Sequence, residues 1–206
     1  DTNIYSMKQF FGRQHLFLIE TASQHYFEPP YKEKEIVEAY KVSGFTDPMF
    51  STFAQSMQSF HFYDNQVELL GGQFVNPIAF GGINRYLFVL EDTTINGTDT
   101  TFTIFFRPRK GKDFEGLTGR LFINTNGFAI EKVMAAPYRP NSTGMFINVI
   151  QEYAFLDGKK WFPVKLSTEV MMVFAAINVS KGKTAFVSGK GATYMETVQF
   201  NPPELD

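Results

Sequence analysis

From Asn84 onward, apolar and polar residues alternate in short runs separated by turn signals, the pattern of consecutive antiparallel strands. Residues 85–92 (RYLFVLED) predict one strand. Asn96-Gly97 is a hairpin signal, and Thr100 to Arg107 follows with Phe102, Ile104 and Phe106 on one face. Leu117 to Thr125, a turn at Asn126-Gly127, and Phe128 to Met134 predict a second hairpin. Asn-Gly takes up positive φ at both turn positions at low cost. Phe146 to Phe155 turns at Asp157-Gly158 into Phe162 to Phe174. There Val164, Leu166, Val170, Met172 and Phe174 share one side, against Lys165, Ser167 and Glu169 on the other. A last strand is predicted from Thr193 to Phe200, ahead of Pro202-Pro203.

The N-terminal part has a different rhythm. Ile4, Met7, Phe10 and Phe11 have helical spacing and predict a short helix over residues 3–13. Residues 15–25 and 34–42 predict two paired strands, interrupted at Glu28-Pro-Pro30. Thr46-Asp-Pro48 is a helix start signal, followed by Met49, Phe53, Met57 and Phe60 on one stripe. Residues 61–83, with Asn76-Pro77 and two Gly-Gly pairs, read as an irregular loop. Short turns between successive strands dictate antiparallel pairing. The expected fold is therefore mainly β (α+β): a curved antiparallel sheet or half-open barrel of at least eight strands, wrapped over one or two helices. A β-sandwich is the alternative. The chain reads as a single domain, 1–206, with 1–13 as a helical appendage and 201–206 as the start of a linker.

Composition sharpens this picture. Phe accounts for 24 of 206 residues, and apolar residues for 44%, so a β-rich core is available. A net charge of −2 argues against a general nucleic-acid binder. The absence of Cys excludes disulfides, thiolate metal sites and thiol catalysis. No apolar run reaches the length a membrane-spanning helix needs.

Candidate chemistry is sparse. Gly182-Lys-Thr184 ends like a P-loop, but Ile177 stands where the loop needs Gly. Gly189-Lys-Gly191 begins a dinucleotide fingerprint that Tyr194 breaks, and Ser180 and Lys183 have acyl-enzyme spacing without the helix start that pair needs. His15, His25 and His61 have no metal-ligand spacing, so neither a metal nor a cofactor is expected. His61 is expected to hydrogen-bond within a loop, Glu91-Asp92 to end a strand in a solvated turn, and Trp161 to anchor the core. Asn96, Asn141 and Asn178 head glycosylation-type triplets, which would be glycan acceptors in a eukaryotic secreted chain and otherwise read as turn residues. Enzyme activity, a hydrolase at most, ranks below a non-catalytic role. One basic run stands out: Arg107, Arg109, Lys110 and Lys112 fall within six positions. They form either a solvated connection between strands or a contact for an anionic surface. A second candidate is apolar. Met49, Phe53, Met57 and Phe60 on the helix would face Phe102, Ile104, Leu166, Val170 and Met172 on the concave sheet. These residues are core by default, or the lining of an acyl-chain site, since Met and Phe make adaptable apolar surfaces.

The segment from Phe106 to Val133 and the runs Val42-Ser-Gly-Phe45, Phe62-Tyr-Asp-Asn65, Asn76-Pro-Ile78, Leu90-Glu-Asp-Thr93 and Trp161-Phe-Pro-Val164 together resemble a family of unknown function from Gram-negative bacteria. In that family this region follows a carboxypeptidase-regulatory-like β-sandwich and precedes an outer-membrane β-barrel. The resemblance implies a periplasmic, outer-membrane-associated structural or interaction domain, with the other domains of a longer chain as partners. It supplies no catalytic residues. A looser, architectural resemblance is to LolA/LolB-type lipoprotein carriers. That one implies a concave face able to take a lipid or a lipoprotein acyl chain, the alternative function.

Overall fold

The computed structural model describes residues 17–28, 32–44, 62–139, 145–174 and 185–202, and both predicted helices lie outside these. The chain divides into two compact units, Asp1–Ser56 and Met57–Asp206. In the first, β1 (Phe17–Glu28) and β2 (Lys32–Gly44) form the expected antiparallel pair, with one bulge at Ala22/Ser23. Glu20 stands opposite Lys41 (3.4 Å) and His25 opposite Glu35 (3.2 Å), while Phe27, Val37 and Tyr40 are exposed. Exposed contacts of this kind add at most about 1 kcal/mol each.

The second unit is built on an open, seven-stranded antiparallel sheet in the order β11-β10-β9-β8-β7-β6-β5. Its strands are β5 (Tyr86–Asn96), β6 (Asp99–Pro108), β7 (Leu117–Asn124), β8 (Ala129–Pro137), β9 (Met145–Leu156), β10 (Lys160–Phe174) and β11 (Ala185–Tyr194). A separate hairpin of β3 (Gln66–Leu69) and β4 (Gly72–Val75), and one helical turn, α1 (Gly82–Arg85), occupy the stretch expected to be irregular. The eleven described strands thus divide among one large sheet and two hairpins. Bulges at Leu90/Asp92, Phe122/Ile123 and Pro163/Lys165 punctuate the large sheet. Each adds local twist, as a curved sheet requires, and Pro163 sits at one because it cannot donate to a ladder.

Register separates the two faces. Leu166, Gln151, Val133, Leu121 and Ile104 stand side by side across five strands, on the face that carries the core. Tyr86, Phe106, Leu117, Val133, Val149 and Val170 are its most buried members. Residues 62–77 lie against this face at two places. Tyr63 packs edge-on against Tyr153 (5.8 Å) and accepts a hydrogen bond from the Ile130 amide (3.0 Å), while β4 bridges to Gly116 through Val75. The opposite face carries ion pairs between strands: Lys132–Glu152 (3.0 Å) and Lys190–Glu169 (2.9 Å) join neighbours, and Arg120–Glu91 (2.7 Å) reaches from β7 across β6 to β5.

Three expectations shift. The last strand covers 185–194 instead of 193–200, and β5 continues through Glu91-Asp92 to Asn96 instead of ending in a turn. Glu91 is the extra residue of the bulge, which lets its carboxylate reach Arg120 in a bidentate pair. Ser167, expected on the polar side of β10, is nevertheless buried, and the bulge beside Val164 leaves that residue only half-buried while Pro163 is buried.

Candidate functional site

The basic run sits in the connection from β6 to β7. Arg109 to Lys112 form a tight turn closed by the Lys112 amide donating to the Arg109 carbonyl (3.4 Å). Gly111, at φ +78°, supplies the left-handed position that a type II turn reserves for Gly. The turn is tied down on both sides. The Arg109 amide donates to the Arg85 carbonyl (2.9 Å), and Phe114 packs edge-on against Tyr86 (5.4 Å), so this loop does fold back onto the core through Phe114 and Leu117. The result is a cleft of about 290 Å³ whose walls include Arg109, Lys110, Lys112, Phe114, Tyr138 and Arg139. Arg107 stands outside it, half-buried, with its Nη1 donating to the Pro108 carbonyl (3.1 Å). Sequence reasoning missed Arg139 and Tyr138, which follow β8; the Tyr138 amide donating to the Gly116 carbonyl (2.9 Å) brings them to the turn.

Of the apolar candidates, Phe102, Ile104, Leu166 and Val170 lie on the core face, and Met172 stands opposite Met145 in the same ladder. Leu166 and Val170 are buried, Phe102 and Ile104 half-buried. Met49, Phe53, Met57 and Phe60 lie outside the described residues. So do His15 and His61, the Gly182-Lys-Thr184 stretch, and the Ser180/Lys183 pair. Gly189 to Gly191 lie within β11, a strand and not the helix start a dinucleotide site needs.

Tyr86 is the hub beside the basic cleft. Its hydroxyl donates to the Val75 carbonyl and accepts from the Leu117 amide (3.0 Å). Burial pushes its pKa from about 10 up to about 12, against the weaker downward pull of the Leu117 amide and Arg85. Burial likewise raises the Tyr153 pKa well above the usual range. Asn76 pins the preceding segment: its side-chain amide donates to the carbonyls of Phe62 (2.6 Å) and Asp64 (2.8 Å), and its Oδ1 accepts from the Ile78 amide (3.0 Å). Trp161, half-buried, stacks at a tilt on Phe155 (5.9 Å) and donates to the Asn126 carbonyl (2.8 Å). The two runs around Phe62 and Asn76 are thus bonded to each other, while Trp161 is pinned to the β7–β8 turn.

Residues 3–189 match the profile of a family described as a family of unknown function, DUF5686. The chain belongs to that family. No significant match to DUF5686 residues of this chain occurs among curated proteins or among solved structures. In this DUF5686 chain the runs around Phe62, Asn76 and Trp161 serve as structural pins, and the candidate binding features are the core face of the sheet, the basic cleft and the exposed terminal strand β5.

Proposed function

We propose that this chain is a non-catalytic periplasmic interaction domain of an outer-membrane-associated protein, to which a partner docks by extending the large sheet at β5. The observation that carries this reading is the state of that edge. β5 is the terminal strand, every residue from Val89 to Asn96 is exposed, and Ile95 is 75% exposed. An edge strand presents a row of backbone donors and acceptors, which proteins commonly guard with Lys or Pro. Tyr86–Asn96 contains neither; the bulge and carboxylates at Glu91-Asp92 interrupt the edge, and Thr93 to Asn96 beyond them carry no such guard. Such an edge suits an added strand, with backbone bonds giving affinity and Leu90 and Ile95 giving apolar anchorage. The periplasmic, barrel-linked setting comes from the family resemblance. A photo-crosslinker placed at Ile95 of the full-length protein captures a partner segment, while one at Phe128, also exposed, does not. Equal capture at both positions, or none at Ile95, overturns the edge reading.

A second reading is favoured by the shared face of Phe102, Ile104, Leu166 and Val170: this face takes a lipid or lipoprotein acyl chain. Each methylene it buries contributes about 0.8 kcal/mol. Solvent extraction of the purified chain followed by mass spectrometry recovers a stoichiometric lipid on this reading, and none if the face serves as core alone.

A further inference from the structure

We infer that the cleft between the β6–β7 turn and the residues after β8 is a binding site for a phosphate group. Four cations, Arg109, Lys110, Lys112 and Arg139, converge there from two segments, in a chain whose net charge is −2. Against them stand two carboxylates of the same connection: Asp113, which is 3.6 Å from Arg139 and almost wholly exposed, and Glu115, also exposed. The local balance is therefore +2, opposite in sign to the chain as a whole.

The walls are fixed while the charged ends are available. The Arg109 and Tyr138 amides, the turn at Gly111 and the Phe114–Tyr86 contact hold the backbone. Among the described residues, Lys110 and Lys112 have no ion-pair partner. Arg109 donates one Nη2 bond to the Ile83 carbonyl (3.3 Å), which leaves further donors of its guanidinium for an anion. A held backbone lowers the ordering cost of binding, and Arg presents the planar fork that phosphate oxygens match. Size narrows the ligand. At about 30 Å³ per water molecule, a cleft of about 290 Å³ takes roughly ten water-sized groups. That fits a phosphate with a short attached carbon skeleton, which Phe114 and Tyr138 can flank.

Phosphate of this kind comes from a lipid head group or from a soluble phosphate ester, and two arms separate the sources. In the first, inorganic phosphate is titrated into the chain and binding is read by calorimetry. In the second, the chain is floated with vesicles of phosphatidylcholine alone or with added phosphatidylglycerol. Phosphate binding with flotation only on the anionic vesicles assigns a head group; phosphate binding without flotation assigns a soluble ester. Arg139→Gln and Lys110→Gln each weaken phosphate binding by about fivefold. Lys159→Gln and Lys160→Gln, exposed cations at the β9–β10 turn, leave it unchanged. Absence of phosphate binding, or equal losses at both sets of positions, overturns the site.

Discussion

Tyr86 shows how one side chain holds several segments. Its ring touches Phe88, Phe106 and Phe114, and its hydroxyl joins β4 to the start of β7. Tyr86→Phe keeps the ring but leaves the buried Leu117 amide without its partner, at a cost of about 1–3 kcal/mol. Chemical denaturation at neutral pH is expected to show a loss in that range. The raised pKa adds a pH dependence. Folded Tyr86 holds its proton more tightly than the unfolded chain does, so the linked stability is complete below pH 10. It is lost as pH rises from there through about 12, and Tyr153 acts in the same direction. Denaturation midpoints should hold steady up to about pH 10 and then fall, and the fall should be shallower in Tyr86→Phe. A midpoint indifferent to pH across that window contradicts the burial of these hydroxyls.

At the scale of elements, strands whose two faces differ in polarity were legible and strands without such contrast were not. Thr100 to Arg107 sets Phe102, Ile104 and Phe106 on one face, Leu117 to Thr125 leads into the Asn126-Gly127 turn, and β6 and β7 match them within about two residues. β11 contains Ser188-Gly-Lys-Gly191, which reads locally as a loop; what makes it a strand is ten residues of register with β10. The β3–β4 hairpin hid for another reason. Its turn is Leu70-Gly71, with both residues at positive φ, and Leu is among the least expected residues there. The Asn126-Gly127 signal correctly marked a hairpin but not its geometry: positive φ falls on Gly127 and Phe128, and Asn126 instead offers its carbonyl to Trp161. Arg139 was illegible as part of the cleft because only the folding back of residues 114–117 brings it to a turn some thirty positions earlier. One element-level contact is tight enough to test. A Cβ on Gly119 would lie 1.9 Å from the Met134 carbonyl oxygen, a backbone atom of the neighbouring strand. Gly119→Ala must part β7 from β8, so a loss of about 3 kcal/mol or more in denaturant unfolding is expected. Gly97→Ala, where a Cβ meets nothing within 4 Å and only the positive φ is strained, should cost about 1–2 kcal/mol.

For the molecule as a whole, the described residues present a sheet with two unlike faces and two open edges. One face is core, with Tyr63 and Val75 of the 62–77 segment fastened to it. The other carries ion pairs between strands, interspersed with exposed Val89, Met134, Phe146 and Met171. The basic cleft lies at one end of β6 and is independent of the edge at β5, so an anionic ligand and a partner strand can be tested separately. The proposed function rests on the edge, and amide hydrogen exchange reads it directly. In the isolated chain, the β5 amides that do not bond to β6 exchange fast, as expected of an exposed terminal strand. In the full-length protein within its native membrane, those same amides are predicted to become protected, with β7 and β8 unchanged. Equally fast exchange of these β5 amides in both settings would contradict docking at this edge.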